Sequence, residues 1–385
     1  MNSEKGNASH RIIVAAGGSG GHIFPAIALA DELGRSGKCP VCFVASKRNL
    51  DRNILGETDH DRFYLSVNPM PRSRNPLKAL VFLFKLASDM VYSLYILAKV
   101  RPDSVVGFGG YSCGAVLLCA KMFGIPVLIH EQNFFPGRAN ILLSRIADTV
   151  AVSFDPTGIY LRCPPEKIVF TGNPLRSSIV PGDRQAAGER LGIDPGKPTL
   201  LVMGGSQGSS FLNRTASAAV AEIYRRKAGE FQVIHLTGKQ DESRVRDFYS
   251  AEGVKAAVFS FLGNINDAYI SCDIALSRSG AAAVFELAHH GKPMILVPYP
   301  DPKNNQRSNA AYFADRGGAI YREENSLTAE ALADEVSAVL FNGRRMNAMS
   351  EAALALSVPD AAERLAKAVL ELAGHSARKK KKITR

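Results

Sequence analysis

Along the first half of the chain, short apolar runs alternate with stretches whose apolar residues recur at helical spacing. The runs are RIIVAA, VCFVAS, DSVVGF, IPVLIH and DTVAVS, and IFPAIALADEL and FFPGRANILLSRIA are two of the helical patterns between them. Such alternation predicts buried strands in a parallel sheet with helices on both faces. The second half restarts the pattern with TLLVM, FQVIHLTG, AAVFSFL, CDIALS, PMILVPY and GAIYR. Between the halves, the turn-rich TGNPLRSSIVPGD (Thr171 to Asp183) predicts a linker, and Leu327 to Ala373 reads as helices only. Each half opens on an apolar run that enters a Gly-Gly-Ser turn, RIIVAAGGSGGH from Arg11 and TLLVMGGSQG from Thr199. The device is repeated because the fold is repeated: two Rossmann-like domains, a division that suits 385 residues. Ligands of such sheets sit beyond the carboxyl ends of the strands.

One segment fits no simple amphipathic pattern. Pro76 to Lys99 is apolar almost all round, whereas a half-buried helix needs only a stripe roughly 100° wide. Two readings stand: a helix buried against the sheet, or a helix whose start, Leu77 to Phe84, stays exposed as a membrane-facing patch flanked by Arg72, Arg74, Lys78 and Lys85. No spanning helix of about 20 apolar residues is expected. The uncharged stretch Ser104 to Ala120 comes nearest in length, and its four glycines argue for turns.

Composition changes this picture little. Hydrophobic content of 46% with 22% charged residues permits sizeable cores. IIVAA, behind the charged start, is too short for a signal segment, and six cysteines without framework spacing predict a reducing cytoplasm. Cys39-Pro-Val-Cys42 lies at a strand entrance and reads as structural, not as a zinc or redox pair. Charge is more informative. Of the net +11, six charges fall in the last eight residues (Arg378, Lys379 to Lys382, Arg385), a tail expected to be disordered. It is a solvated terminus, a contact to an anionic membrane surface, or a contact to nucleic acid. No nucleic-acid motif with interleaved aromatics appears elsewhere, so nucleic acid is not expected as a partner.

The glycine turns are not nucleotide fingerprints. Gly17-Gly-Ser-Gly-Gly-His22 lacks the third glycine of the dinucleotide motif, and the second strand ends in Ser46-Lys47-Arg48 without the ribose-binding acid. What remains is close backbone approach and amides that favour an oxyanion. The constellation is more specific: Gly107-Phe-Gly-Gly-Tyr-Ser-Cys-Gly114 and His130-Glu-Gln-Asn133 in the first half, then Gly204-Gly-Ser-Gln-Gly208, Ser277-Arg-Ser-Gly280, Ala281 to Glu286, and PYPDPKNNQRSNA from Pro298. All are expected where a strand ends and a helix begins. His130 reads as structural, and His289 and His290 as surface residues.

These motifs, in this order from about Arg11 to about Ala373, resemble the MurG family of peptidoglycan glycosyltransferases. The resemblance implies a GT-B fold, two Rossmann-like domains facing each other across a cleft. It implies a flexible start (1–10), an acceptor and membrane-side domain (11–175) rejoined by a C-terminal helix (360–376), a UDP-sugar domain (176–359) and a basic tail (377–385). The implied reaction moves N-acetylglucosamine from UDP-N-acetylglucosamine to the 4-hydroxyl of the muramyl sugar of lipid I, forming lipid II with inversion. No cofactor and no metal are implied. The implied location is peripheral, at the cytoplasmic face of the bacterial inner membrane, with other cell-wall synthesis proteins as candidate partners. Other UDP-sugar enzymes of the same fold (an epimerase, a transferase to a soluble acceptor) and a non-catalytic nucleotide-binding regulator are the alternatives.

Residue by residue, the resemblance assigns the ribose hydroxyls to Glu286 and the donor phosphates to the helix start at Ala281, Ala282 and Ala283, continuing through Val284 and Phe285. Ser206 and Arg176 contact the donor, the Leu262 backbone reads uracil, and Asn305 and Gln306 lie near the sugar hydroxyls. Ser19, Gly20, Gly21 and Asn133 reach the donor from the first domain. The acceptor side comprises Gly18, His22, Gly109, Gly110 and Tyr111. Ser19 keeps the hydroxyl of the family's usual threonine, Ala281 to Ala283 lack a hydroxyl often present, and Asn305 replaces a common Gln or His. His22 is the candidate base, because imidazole ordinarily titrates near neutral pH; its alternative role is to orient phosphate or sugar.

Overall fold

The computed structural model describes residues 10–35, 39–66, 76–205, 207–301 and 305–383. Two compact units emerge, Met1–Arg176 with Pro359–Arg385, and Ser177–Val358. The first unit is built on a seven-stranded parallel sheet: β1 (Ile12–Ala15), β2 (Val41–Ser46), β3 (Asp61–Leu65), β4 (Ser104–Gly107), β5 (Val127–Glu131), β6 (Thr149–Val152) and β7 (Ile168–Phe170), in the order β3-β2-β1-β4-β5-β6-β7. Its helices are α1 (Gly20–Arg35), α2 (Asn49–Gly56), α3 (Pro76–Val100), α4 (Tyr111–Met122) and α5 (Arg138–Leu143). Alternate residues of β1 serve opposite faces, as the two-residue strand period requires. Ile12 and Val14 join the α1 side of the core, and Ile13 and Ala15 join the side covered by α4 and the end of α3.

The second unit carries a six-stranded parallel sheet of β8 (Thr199–Met203), β9 (Gln232–Leu236), β10 (Ala256–Phe259), β11 (Ile274–Ser277), β12 (Met294–Leu296) and β13 (Ala319–Tyr321), ordered β10-β9-β8-β11-β12-β13. Around it lie α6 (Arg184–Leu191), α7 (Ser210–Arg226), α8 (Glu242–Ala251), α9 (Ile265–Ser271), α10 (Ala281–His289), α11 (Gln306–Ala314), α12 (Ala329–Leu340) and α13 (Gly343–Ala355). In both sheets the order reverses beside the first strand, β1 or β8, which places its glycine turn at the topological switch point. The last helix, α14 (Ala361–Ile383), returns to the first unit, where Leu365, Ala366, Val369 and Ala373 enter the core beside α1.

Three expectations change. The helical backbone of α14 continues to Ile383, so most of the tail is helical and not disordered, consistent with the high helix propensity of its Ala, Arg and Lys residues. Strands β3 and β7 escaped the apolar pattern because both are edge strands with half-exposed side chains. As its glycines indicate, Ser104 to Ala120 is divided by a turn into β4 and α4. The third change concerns the expectation that no helix is long and apolar enough to span: among the described residues Leu80–Val100 is, 22% buried.

Of the two readings for α3, the exposed patch holds at its start, where Leu80 and Phe84 are 63% and 77% exposed. Leu77, Val81 and Leu83 are exposed with them, whereas Ile96 and Leu97 are buried in the core. Asp89, also buried, accepts a hydrogen bond from the Ser66 amide at 2.9 Å. Arg72, Arg74 and the Lys78 side chain lie outside the described residues.

Candidate active site

In the first unit, β1 ends at Ala15 and the chain turns through Gly17, Gly18 and Ser19 into α1. Gly18 adopts φ +87°, open to glycine at little cost. His22, in the first turn of α1, places Nδ1 3.0 Å from the Gly17 carbonyl oxygen and 3.3 Å from Ser19 Oγ. A carbonyl only accepts, so Nδ1 carries a proton, and in the neutral ring this leaves the lone pair on Nε2. The GFGGY turn after β4 packs against this group. A Cβ at Gly110 (φ +87°) would lie 2.5 Å from the Gly17 oxygen, and one at Gly109 (φ +93°) would lie 3.4 Å from His22 Nε2. Only glycine leaves both the carbonyl and the space before Nε2 free. The Tyr111 side chain lies outside the described residues.

The end of β5 forms the neighbouring wall. Glu131 is buried, and one carboxylate oxygen accepts from the Asn133 amide (2.9 Å) and side chain (3.2 Å). Its other oxygen accepts from the Gly137 amide at 2.9 Å and from Asn140 Nδ2 at 2.8 Å. This network holds Asn133, and Asn140 reaches the space beside Gly109, where a Cβ would lie 3.5 Å from its Nδ2. Asn140 Oδ1 is a buried acceptor without a hydrogen-bond partner among the described residues. His130 is fully buried. Its Nδ1 receives Gln132 Nε2 at 3.1 Å, its Nε2 lies 3.1 Å from the Gly172 carbonyl, and burial lowers its pKa to about 4. It is therefore a neutral strut between β5 and the segment after β7. Arg176 rests its guanidinium 4.5 Å from the centre of the Phe24 ring, whose edge borders Gly20.

In the second unit, the loop after β8 packs on the end of β9: a Cβ at Gly208 (φ +76°) would lie 2.0 Å from the Thr237 carbonyl oxygen. Ser206 lies outside the described residues. Arg278, after β11, ties several of these strand ends together. It donates to Ser209 Oγ at 2.7 Å and to the Val297 and Pro298 carbonyls at 3.1 and 3.0 Å, and it pairs with Glu324 at 2.6 Å. Ser279 Oγ donates to the Gln306 carbonyl at 2.8 Å, Asn309 Nδ2 donates to the Ser279 carbonyl at 3.1 Å, and the Gln306 side chain accepts from the Tyr299 amide at 2.9 Å. The starts of α10 and α11 are thus locked together, bringing Ala281 to Ala283 near Asn305 and Gln306.

No side chain caps the start of α10 through its N-cap residue, Gly280. Glu286, on the same helix, is 4% exposed and accepts from Tyr269 Oη at 2.8 Å. Val284 and Phe285 are buried, Phe285 edge-on to Phe313, so their side chains serve packing. Leu262 is half-buried in the loop between β10 and α9. His289 and His290 are half-buried, not surface residues. His290 Nε2 lies 2.8 Å from Asn266 Oδ1, and burial, reinforced by His289 and Lys292, lowers its pKa to about 4.

Sequence reasoning did not single out Asp51, Glu131, Asn140, Arg278 or Asn309 as individual residues. Glu131, Arg278 and Asn309 lie inside recognised motifs, a usable signal; Asn140 differs in no local way from other helix asparagines.

Residues 12–152 match the glycosyltransferase family 28 N-terminal domain and residues 199–365 match its C-terminal domain. A protein of Halalkalibacterium halodurans named UDP-N-acetylglucosamine–N-acetylmuramyl-(pentapeptide) pyrophosphoryl-undecaprenol N-acetylglucosamine transferase is 34% identical, over 94% of this chain and 99% of its own length. The equally named protein of Desulfotalea psychrophila is 36% identical over 92% and 95%. The crystal structure of Acinetobacter baumannii MurG superposes with a TM-score of 0.75 at 27% identity, covering 94% of this chain and 99% of that one. A UDP-GlcNAc 2-epimerase from Neisseria meningitidis, at 14% identity and a TM-score of 0.65, shares the fold alone. With its two Rossmann-like units of the GT-B class, the chain belongs to glycosyltransferase family 28 and, within it, to the MurG family.

Proposed function

We propose that this enzyme transfers N-acetylglucosamine from UDP-N-acetylglucosamine to the 4-hydroxyl of the muramyl sugar of lipid I, producing lipid II and UDP. Identity of 34% and 36%, extending over nearly the full length of the transferases named above, carries this reading. The second unit takes the donor. Amides at the start of α10 face the pyrophosphate, Glu286 accepts from the ribose hydroxyls, the Leu262 backbone reads uracil, and Asn305 with Gln306 meets the sugar. Arg176, Asn133 and the Ser19–Gly21 turn complete the donor contacts, and Gly18, Gly109, Gly110 and Tyr111 border the acceptor.

The Nδ1–H form of His22 supports its role as base. The acceptor hydroxyl gives its proton to Nε2 as its oxygen forms a bond to the anomeric carbon. The bond from that carbon to the β-phosphate oxygen breaks, its electron pair leaves with UDP, and the configuration inverts. The growing charge on UDP meets fixed amide dipoles and the Arg176 guanidinium.

The acceptor's polyprenyl tail stays in the bilayer, so the enzyme works peripherally at the cytoplasmic face. Leu80, Phe84 and their exposed neighbours on α3 enter the interface, and the basic end of α14 adds attraction to anionic headgroups. The deciding assay incubates the enzyme with UDP-N-acetylglucosamine, with and without a lipid I analogue. UDP release only with the analogue, together with a disaccharide product, is expected. Release or epimerisation without acceptor refutes the reading, and so does binding without turnover.

A further inference from the structure

The loop that carries His22 is itself held by a buried carboxylate. Asp51, in the first turn of α2, is fully buried, and both its oxygens accept from the Gly18 amide, at 3.1 and 3.0 Å. One of them also accepts from the Ser46 amide at 3.1 Å and from Ser46 Oγ at 2.5 Å. Sheet topology explains the reach: β1 and β2 are paired neighbours, and the Ala16 amide donates to the Val44 carbonyl at 3.0 Å, so the glycine turn and the start of α2 leave the sheet side by side. A buried carboxylate is costly unless its oxygens are satisfied, and these donors with the α2 terminus satisfy it.

The Gly17–Gly18 peptide is therefore engaged at both ends. Its N–H donates to Asp51, and its carbonyl accepts the His22 Nδ1 proton at 3.0 Å. Hydrogen bonds in series polarise one another, so a carboxylate at the N–H end makes the carbonyl a better acceptor. The arrangement is that of a carboxylate orienting a catalytic imidazole, with one peptide unit interposed. Gly110 closes the third side, because a Cβ there would strike the same carbonyl at 2.5 Å. The other charged group at the turn, Arg48, approaches the Gly18 carbonyl at 3.5 Å and not the relay carbonyl.

We propose that Asp51 is a positioning residue for the transfer: through the Gly17–Gly18 peptide it holds His22 as the Nδ1–H tautomer, with Nε2 free to take the acceptor proton. The inference rests on the reading of His22 as base, and the test separates the two. In full-length enzyme labelled with ¹⁵N-histidine, the parent should show His22 with a protonated Nδ1 and an unprotonated Nε2 at alkaline pH, which requires no variant. Asp51→Asn should give a mixed or reversed tautomer and lower kcat about ten- to a hundredfold, less than direct loss of a triad carboxylate, with donor KM unchanged. Asp51→Glu, which restores a carboxylate, should recover much of kcat. The double variant Asp51→Asn/His22→Ala should be no slower than His22→Ala. An Nε2–H tautomer in the parent, an unchanged tautomer in Asp51→Asn, or additive losses in the double variant would each overturn the proposal. Full activity in His22→Ala would instead remove the base reading, and the tautomer measurement would still decide the role of Asp51.

Discussion

Removing the Glu286 carboxylate tests the donor site, and the structure separates what it does to binding from what it does to folding. The carboxylate accepts from Tyr269 Oη at 2.8 Å, and Tyr269 is 2% exposed. Glu286→Ala leaves a buried phenol without this acceptor, at a cost of about 1–3 kcal/mol of stability. For a unit of this size that lowers Tm by about 2–4 °C per kcal/mol. Loss of charge-assisted bonds to the ribose should independently cost about 1.5–3 kcal/mol of binding, roughly ten- to a hundredfold in UDP affinity. Tyr269→Phe removes the same internal bond yet keeps the carboxylate, so its UDP affinity should stay near the parent's. Calorimetric titration with UDP and 2′-deoxy-UDP reads the difference: the Glu286→Ala penalty should shrink with the deoxy analogue. Equal UDP affinity in parent and Glu286→Ala would remove Glu286 from the ribose site. A loss as large in Tyr269→Phe would mean that the effect is packing.

Other outcomes follow from the same geometry. His22→Ala should lower turnover about a hundredfold or more with UDP affinity little changed, and a parallel loss of affinity would make His22 a binding residue. His130 in the first unit and His235 in the second are buried and neutral, with burial lowering their pKa to about 4 and about 3. Unfolded histidine takes a proton near pH 6.5 while these do not, so their stability is complete above that pH and is lost as pH falls toward the folded values. Each should cost about 2 kcal/mol between pH 6.5 and 5. Denaturant midpoints across that range check it, and flat midpoints would mean that both histidines are protonated in the fold. Leu80→Ser with Phe84→Ser should reduce binding to anionic vesicles and activity on long-chain acceptor while sparing a water-soluble one. Equal loss on both acceptors would assign these exposed side chains to folding.

Much of the architecture is local and so was legible. A strand buried on both faces is a continuous apolar run, and the turn into the next helix needs glycine; both properties belong to a few consecutive residues. The central strands of both sheets and the two glycine turns followed from that, and the order of motifs pointed to the family. Edge strands β3 and β7 did not follow, because half-exposed strands lack the uninterrupted run. Nor could periodicity decide which side of α3 would be covered. The fate of Leu80 and Phe84 depends on what the sheet and α4 leave uncovered, a property of packing between distant segments.

The candidate site divides in the same way. The chain itself offered the candidate base and the glycine turns through their own chemistry, and the acid on α10 through the motif order that resembles the family. Only the tertiary structure placed Asp51 under Gly18, Glu131 across Asn133 and Asn140, Tyr269 on Glu286 and Arg278 among several strand ends. A carboxylate in SKRNLD or a tyrosine in INDAYIS has no local mark of its partner. What selects the partner is the parallel register, which sets the ends of adjacent strands side by side, and burial, which leaves each polar group no alternative to the donor or acceptor it meets there.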